Sequence, residues 1–449
     1  MREVDTEQSG GPPMSETATA GAGTEFLPTS ALPAEPAARA AFDARWRRIL
    51  DCVQLKTPDR MPVVLYATFW LAKYGGVSCR ALMYEYEQTK QLALRATQEF
   101  DPDIAAQAMV SATLFGPTMD AMDFKQLQWP GHGVGEQQPY QYLDREYMLG
   151  DEYDELLGDP TGFYLRRYLP RIGGAFAGLA ALPPLPGLHY FRLIAALRHF
   201  AKPEVREALQ NLIKAGEEAE RMAGHNADFA ARLAALGYPR DAGTNTVSPY
   251  DFVADYCRGA RGMMTDLFRR KDKLLALLDR ARTWLTRLTI DNARAAGHPI
   301  VTIPIHWAPD AFMSDKQFKE FYWPPFRQMM LDMIAAGLIP MPLWEADCTK
   351  RLDVIRDIPA GRCIYWFERT DLVRAHEVLG DVVALRGNLS PSLMTTGKPQ
   401  EVDAAVRHLA ENVFHKGGKL ILDCAFGLPD ETPLANVRAL FDAARRYGA

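Results

Sequence analysis

The sequence predicts an α/β protein: a (β/α)8 barrel of TIM type with N-terminal helical elaborations and a long irregular insertion. Two observations favour this class. In the last third of the 449-residue chain, short apolar runs alternate with helical segments, and such alternation produces parallel strands joined by right-handed crossovers. No G-x-G-x-x-G motif follows any of these runs, so a barrel is favoured over a dinucleotide-binding sheet.

The elements alternate in a regular order along the chain. Ser314 and Gln317 have the spacing of a capping box, which marks the start of one helix. Helices are predicted to begin near residue 38 and to cover 79–99, 203–236, 271–297, 315–336, 371–379, 399–413 and 433–447. Strands are predicted over 61–66, from 103, and over 301–307, 339–345, 363–368, 382–387 and 420–424.

Composition divides the chain into a tail and one large domain. Residues 1–35 are rich in small, polar and proline residues and hold few large apolar ones, so a disordered tail is predicted there. Residues 36–449 are assigned to the barrel domain. Residues 112–200 are rich in Gly and Pro and too long for a plain loop, so they are predicted to be an insertion or lid.

Charge and cysteine content exclude several classes of protein. The net charge of −5 provides no basic excess for nucleic acid. The six cysteines are far apart and form no C-x-x-C pair, which is typical of a reducing cytoplasm. The longest uncharged stretch, 172–191, is interrupted by three prolines, so no membrane-spanning segment is expected.

Polar side chains follow the predicted strands, where barrel enzymes carry their chemistry. His306, Glu345 and Asp347 are the predicted catalytic residues. Glu345 and Asp347 are two residues apart and face the same way on an extended segment, so together with Cys424 they are also candidate metal ligands. Two alternatives stay open: Asp347 caps the next helix, and Cys424 is a small buried apolar residue.

Aromatic residues accompany these strand ends and predict a pocket for an apolar or aromatic ligand. The alternative is ordinary packing in the barrel core. The predicted substrate-binding residues at the strand ends are Tyr66, Trp307, Trp344, Trp366, Asn388 and Phe426.

From about residue 40 to the end, several segments resemble the uroporphyrinogen decarboxylase superfamily and follow one another in the same order. They are ILDCVQLKTPDRMPVV, RGARGMMTDLFRRKDKLLALLD, MSDKQFKEFYWPPFRQMMLDMIAAGLIP, VLGDVVALRGNLSPSLMTTGKPQEV and GLPDETPLANVRALFDAARRYG. The resemblance implies a (β/α)8 barrel. The true decarboxylases have an Arg-rich segment after their first strand, but the matching stretch LYATFWLAKYGGVS has no Arg. Because a substrate with many carboxylates needs cationic partners, uroporphyrinogen is not the expected substrate.

The closer resemblance is to the corrinoid-dependent methyltransferases of that superfamily. Many of these proteins carry a zinc site written His-x-Cys on one strand, and those positions here are Leu343 and Glu345. The thiol-activating zinc site is therefore not reproduced. The acidic strand end and the segment QLQWPGHGVGEQQPYQYLDREYM are similar to members that handle aryl methyl ethers, which implies a pocket role for His132. The alternative for His132 is an exposed turn residue.

The resemblance implies a methyltransferase that moves a methyl group between a phenolic or aryl methyl ether substrate and the cobalt of a corrinoid protein. The chain has no Asp-x-His-x-x-Gly motif for base-off cobalamin, so the corrinoid is expected on a partner protein, with zinc as an optional metal. A cytoplasmic location is expected, and homo-oligomerisation stays open. The alternatives are a cofactor-free decarboxylase or lyase on a small acid, and a non-enzymatic tetrapyrrole- or corrinoid-binding subunit.

Overall fold

The computed structural model describes residues 31–105, 115–184 and 189–449. Its strands are short and connected mostly by helices. In chain order they are β1 (Val64–Leu65), β2 (Ile104–Ala105), β3 (Leu127–Pro130), β4 (Gly133–Val134), β5 (Gln141–Tyr142), β6 (Thr244–Asn245), β7 (Ile300–Ile305), β8 (Ile339–Trp344), β9 (Ile364–Phe367), β10 (Ala384–Leu389) and β11 (Leu420–Cys424).

Eight of these strands close into a parallel barrel. Strands β6 to β11 pair side by side in chain order, and β1 pairs with β2. Two parallel bridges join the two sheets: Val63 pairs with Leu422, and Ala105 pairs with Arg240. The ring therefore runs β1, β2, β6, β7, β8, β9, β10, β11 and back to β1, which confirms the predicted (β/α)8 class.

Successive side chains along each strand point alternately into the barrel and away from it. They therefore contribute to two separate apolar clusters. One cluster joins the barrel interior to the first helix, and the other joins the outer faces of the strands to the surrounding helices. On β8, for example, Ile339 and Met341 belong to the interior cluster, whereas Trp344 belongs to the outer one. The interior cluster includes Trp46 and Ile49 of the first helix, so that helix closes the end of the barrel where the strands begin.

The helices carry most of the chain between the strands. In chain order they are α1 (Pro36–Val53), α2 (Trp70–Gly75), α3 (Cys79–Tyr84), α4 (Tyr86–Phe100), α5 (Gly116–Met122), α6 (Tyr153–Gly158), α7 (Pro160–Phe163), α8 (Leu169–Ile172), α9 (Tyr190–Ala196), α10 (Pro203–Ala235), α11 (Pro249–Val253), α12 (Gly259–Arg269), α13 (Lys271–Ala296), α14 (Asp315–Gln317), α15 (Trp323–Ala335), α16 (Leu352–Ile355), α17 (Leu372–Leu379), α18 (Pro391–Thr396), α19 (Pro399–Asn412) and α20 (Leu434–Tyr447). In the described parts of the chain, no helix is both long enough and apolar enough to cross a bilayer.

The structure changes several predicted boundaries. The capping box at Ser314 and Gln317 is present, but a wide π-helical turn over Phe318–Tyr322 separates α14 from α15. A break at Glu85 divides the predicted helix over 79–99 into α3 and α4. Strand β6 was not predicted from the sequence because it has only two residues, both polar.

The predicted tail and insertion are partly described. Residues 1–30 lie outside the described residues, so the prediction of a disordered tail stays untested there. Ala31 packs against the interior cluster and Pro33 is buried, so the described end of the predicted tail contacts the domain. The described part of 112–200 holds the small sheet of β3, β4 and β5 followed by short helices.

Candidate active site

His306 follows β7 at the carboxyl end of the barrel and lies between two carboxylates. Its Nδ1 is 2.6 Å from Oδ2 of Asp255, and its Nε2 is 3.5 Å from Oε1 of Glu345. The side chain of His306 is 35% exposed and that of Glu345 is 37% exposed. The three groups therefore form a chain of proton-carrying side chains that solvent or a substrate can reach.

The segment after β6 positions His306 from the other side. Ser248 caps helix α11 by accepting a hydrogen bond from the Asp251 backbone N–H. The buried Asp251 carboxylate accepts hydrogen bonds from the backbone N–H groups of His306 and Trp307 and from the Tyr322 hydroxyl, at 3.3, 3.1 and 2.7 Å. Asp251 thus holds the backbone at the end of β7, and Asp255, one turn later, holds the imidazole.

Two π-helical turns lie at these contacts. One covers Ala254–Arg258 and contains Asp255. The other covers Phe318–Tyr322 and ends at Tyr322. Such turns are frequent at functional sites, and here each carries a side chain that contributes to the cluster around His306.

Asp255 also connects the cluster to the insertion. Its Oδ1 accepts a hydrogen bond from the Trp307 indole N–H at 2.6 Å. Its backbone carbonyl accepts one from the Tyr142 hydroxyl of β5 at 2.5 Å. The predicted insertion therefore contacts the turn that orients His306.

Mutual electrostatics change the proton affinities of His306 and Glu345. Burial lowers the pKa of His306, but the Asp255 hydrogen bond and the charges of Asp251 and Glu345 outweigh burial and raise the pKa to about 9. Burial raises the pKa of Glu345 to about 7; the His306 charge opposes this shift, and the Glu368 charge adds to it. Near neutral pH, His306 is therefore cationic and Glu345 can both give and take a proton.

Two tyrosines lie within the electrostatic reach of the cluster. Burial raises the pKa of Tyr140, and the charges of Asp430 and Glu345 add to this effect. Burial and the charges of Asp255 and Asp251 raise the pKa of Tyr256 to about 12. Both phenols therefore stay neutral at physiological pH and offer hydroxyl and aromatic surface beside the carboxylates.

The structure does not bring the predicted metal ligands together. The backbone of Ala346 is left-handed, with φ of 53°, which breaks the extended alternation that would point Glu345 and Asp347 the same way. Asp347 Oδ1 accepts hydrogen bonds from the backbone N–H and the hydroxyl of Thr349, the first residue of the next helical turn, which fits the capping alternative. Cys424 is fully buried in the outer cluster. Among the described residues, no group of three His, Cys, Asp or Glu side chains is placed to hold a metal, so the metal-ligand role of Glu345, Asp347 and Cys424 stays a prediction that this arrangement does not favour.

The predicted aromatic lining divides between the site and the core. The prediction was wrong for Trp344, which is 0% exposed and packs between α15 and the neighbouring strands against Phe326 and Tyr365. The period of two explains this, because Trp344 precedes the inward-facing Glu345. Trp307, in contrast, belongs to the site through its bond to Asp255.

Other predicted residues lie elsewhere in the barrel. Trp366 and Tyr66 meet edge to face at 5.3 Å, and the Arg386 guanidinium stacks 3.8 Å from the centre of the Trp366 ring. The Asn388 side-chain amide donates to the Thr370 carbonyl at 2.6 Å. The substrate-binding roles of Trp366, Tyr66 and Asn388 stay predictions.

His132 and Phe426 lie on loops. His132 stacks on Trp129 at 4.3 Å and pairs with Asp120 at 2.9 Å; its side chain is 45% exposed. These contacts fit the exposed-turn alternative. Phe426, on the loop after β11, is 48% exposed, and its role in substrate binding stays a prediction.

Asp251, Asp255 and a deeper ion cluster were not predicted from the sequence. Asp251 and Asp255 are one helical turn apart after a Ser-Pro helix start, a signal that could have been read once β6 was recognised. Deeper in the barrel, Arg386 bridges Asp241 at 2.6 Å and Asp423 at 2.7 Å, with all three side chains 1–2% exposed.

Comparisons with known proteins agree with this architecture. The sequence model of the uroporphyrinogen decarboxylase (URO-D) family matches residues 230–447. Uroporphyrinogen decarboxylases from strains of Coxiella burnetii are 30% identical over 78 residues, which is 17% of this chain and only 21% of the length of each relative.

A solved structure extends the likeness to most of the chain. A methyltransferase from Methanosarcina mazei superposes with a TM-score of 0.59 at 15% sequence identity, covering 89% of this chain and 98% of that one. This likeness concerns the fold, and the family match supplies the sequence relationship. The family match over residues 230–447 and the shared fold together support the uroporphyrinogen decarboxylase superfamily for this chain.

Proposed function

We propose that this protein is a methyltransferase that moves a methyl group between an aromatic oxygen substrate, a phenol or aryl methyl ether, and the cobalt of a corrinoid protein. The observation that carries the proposal is the Asp255–His306–Glu345 chain at the barrel mouth. It supplies a proton donor and acceptor for an ether or phenol oxygen. The methyltransferase from Methanosarcina mazei with the same fold supports the reaction class.

The surroundings of the cluster favour an aromatic substrate over a polycarboxylate. Trp307, Tyr140 and Tyr256 place aromatic groups beside His306 and Glu345. The Arg386 guanidinium is engaged by Asp241 and Asp423 beneath the mouth. A substrate with several carboxylates would meet mainly carboxylates around His306, and like charges repel.

In the demethylation direction the residues of this chain transfer one proton to the substrate. A reduced corrinoid on a partner protein would supply the nucleophile that accepts the methyl group. As the bond between the methyl carbon and the aryl oxygen breaks, the oxygen keeps the electron pair. Protonated Glu345 donates its proton to that oxygen, and cationic His306, fixed by Asp255, stabilises the resulting Glu345 carboxylate.

In the opposite direction the same residues deprotonate a phenol. Glu345 accepts the phenolic proton, and the phenolate oxygen then takes the methyl group. A methylated corrinoid on the partner protein would supply that methyl group and would keep the electron pair of the broken bond. Both directions need the pKa of Glu345 near neutrality, and burial raises it to about 7. No step is assigned to zinc, because Glu345, Asp347 and Cys424 do not converge on a common point.

A reconstitution assay tests the proposal. The purified chain is expected to be colourless and inactive alone. With a reduced corrinoid protein, or free cob(I)alamin, and 2-methoxyphenol as the probe, it should release catechol. His306→Gln and Glu345→Gln should each lower the rate by about 10²-fold or more, the usual size of a general acid–base contribution. Glu377→Gln, an exposed carboxylate on α17, is the matched control and should leave the rate unchanged.

Other outcomes would favour the alternatives. Release of carbon dioxide from a small acid without any corrinoid would indicate a decarboxylase or lyase. Tight, stoichiometric binding of corrinoid or porphyrin by the chain itself, without turnover, would indicate a carrier subunit. Either result would contradict the proposed reaction.

A further inference from the structure

An apolar cavity of about 520 Å³ lies beside the turn that carries Asp255, with Asn245 of β6 and Pro304 of β7 in its wall. It is bounded by the insertion helices α6 and α7, by α13, and by the segment that follows β6. Its volume falls within the range of roughly 300–1,000 Å³ that is usual for small-molecule sites.

The lining indicates the chemistry of a ligand. Six aromatic or aliphatic side chains dominate the wall: Phe163, Tyr168, Phe252, Tyr256, Trp284 and Leu288. Among the described residues that line the cavity, none carries a charge, and the side-chain polar groups are hydroxyls, the Cys257 thiol, the Asn245 amide and the Trp284 indole N–H. A charged ligand would lose its hydration without a partner there, whereas a neutral aromatic ligand would lose little.

The cavity and the His306 cluster share one helical segment. Phe252 and Tyr256 line the cavity, whereas Asp251 and Asp255 bind the backbone and imidazole at the end of β7. Because Asp255 and Tyr256 are adjacent in the π-helical turn Ala254–Arg258, a molecule in the cavity contacts the turn that orients His306. His306, Glu345, Asp251 and Asp255 do not line the cavity, and of the aromatic residues placed beside His306 only Tyr256 does.

We infer that this cavity is a second binding site for a small neutral aromatic molecule, and that its occupancy adjusts the turn holding Asp255. The site does not depend on the proposed methyl transfer, because it rests on the lining and on the shared turn. Tyr164 and Leu288 line the cavity and are 51% and 59% exposed, which places apolar side chains where a ligand would enter.

Binding of N-phenyl-1-naphthylamine, a neutral probe whose fluorescence rises in apolar surroundings, tests the site. The full chain should bind one equivalent. Leu288→Arg adds a charge at the rim without disturbing a buried residue, and should weaken binding about tenfold or more, equal to about 1.4 kcal/mol or more. Ile213→Arg, at a 63% exposed position on α10 away from the cavity, is the matched control and should bind as the unchanged chain does. Absence of saturable binding, or equal binding by Leu288→Arg, would overturn the inference.

Two further measurements separate this site from the barrel mouth. Glu345→Gln should bind the probe normally; loss of binding in that variant would place the probe at the mouth and overturn the assignment. The Trp307 indole N–H donates to Asp255 and gives an NMR signal. That signal can be assigned because it is missing from the spectrum of Trp307→Phe. Probe binding should shift that signal, and a bound probe that leaves it unmoved would contradict the coupling. Neither measurement uses turnover, so failure of the proposed methyl transfer would leave both results interpretable.

Discussion

Two clusters of carboxylates occupy the same barrel, and they differ in the cation that accompanies them. In the lower cluster, Asp241 and Asp423 bind Arg386, and all three side chains are 1–2% exposed. In the upper cluster, Asp255 and Glu345 flank His306, which is about one-third exposed. The first cluster is sealed inside the barrel, and the second lies open at its mouth.

The difference shows how the choice of cation separates structure from chemistry. A guanidinium keeps its proton at all physiological pH values, so Arg386 supplies a permanent charge and two directional bonds. An imidazole can change its charge. Burial raises the pKa of Asp423 to about 7, although the Arg386 charge opposes the shift, yet no solvent reaches that group. Only the upper cluster can exchange protons with a substrate.

Replacing the permanent cation should give the largest effect. Arg386→Leu leaves two buried carboxylates without compensation, and we expect the free energy of unfolding in urea to fall by about 3–5 kcal/mol. Arg438→Leu, which breaks an exposed pair with Glu99, is the control and should cost under about 1 kcal/mol. A loss for Arg386→Leu no larger than that of the control would show that the lower cluster contributes little to stability.

Replacing the upper carboxylate should affect activity instead. Glu345→Gln keeps the shape of the side chain and removes its proton exchange, so the reconstituted rate should fall by about 10²-fold or more. The free energy of unfolding should change by under about 1 kcal/mol, because the group is partly exposed. A rate within a few-fold of the unchanged chain would remove Glu345 from the proposed mechanism.

The upper cluster should make the free energy of unfolding fall as the pH becomes alkaline. The folded pKa of His306 is about 9 against 6.5 in the unfolded chain, so its contribution is fully present below pH 6.5 and is lost as the pH rises through 9. After solvent screening, the expected loss of unfolding free energy is about 1–2 kcal/mol between pH 6.5 and 9.5. Urea unfolding across this range should show that the free energy of unfolding depends less steeply on pH in His306→Gln than in the unchanged chain. His408→Gln, at an exposed position on α19, should keep the pH dependence of the unchanged chain.

Asp347 should behave as a cap and not as a catalytic group. Asp347→Ala removes the acceptor for the Thr349 N–H and should lower the free energy of unfolding by about 1 kcal/mol, with activity within a few-fold of the unchanged chain. Asp347→Asn keeps an acceptor oxygen and should recover most of the stability. A rate loss as large as that of Glu345→Gln would restore Asp347 to the catalytic set.

Removing residues 1–35 should give the smallest effect. Ala31 and Pro33 contact the closed end of the barrel, so the expected change in unfolding free energy is measurable but within about 1 kcal/mol, with activity unchanged. Removing residues 1–30 alone keeps Ala31 and Pro33 in place. It should change neither the free energy of unfolding nor the activity. A larger loss in the shorter truncation would mean that residues 1–30 also stabilise the domain.

Much of the fold was predictable because strand and helix periods are local properties. The apolar runs ending at His306 and Glu345 are recognisable from a few neighbouring residues, and the barrel rule directs attention to their carboxyl ends. The same periodicity could have excluded Trp344 from the pocket. Strand β6 was not predictable in this way, since two polar residues form no pattern until β7 pairs with them.

The sequence by itself determined the barrel class, the capping box at Ser314 and the placement of His306 and Glu345 at strand ends, because each depends on residues close along the chain. Only the tertiary structure decided which groups meet. His306 lies 51 positions after Asp255 and 39 positions before Glu345. A left-handed Ala346 turns Asp347 away. Ring closure brings these separate segments together, and no local pattern encodes the distance between side chains on different strands.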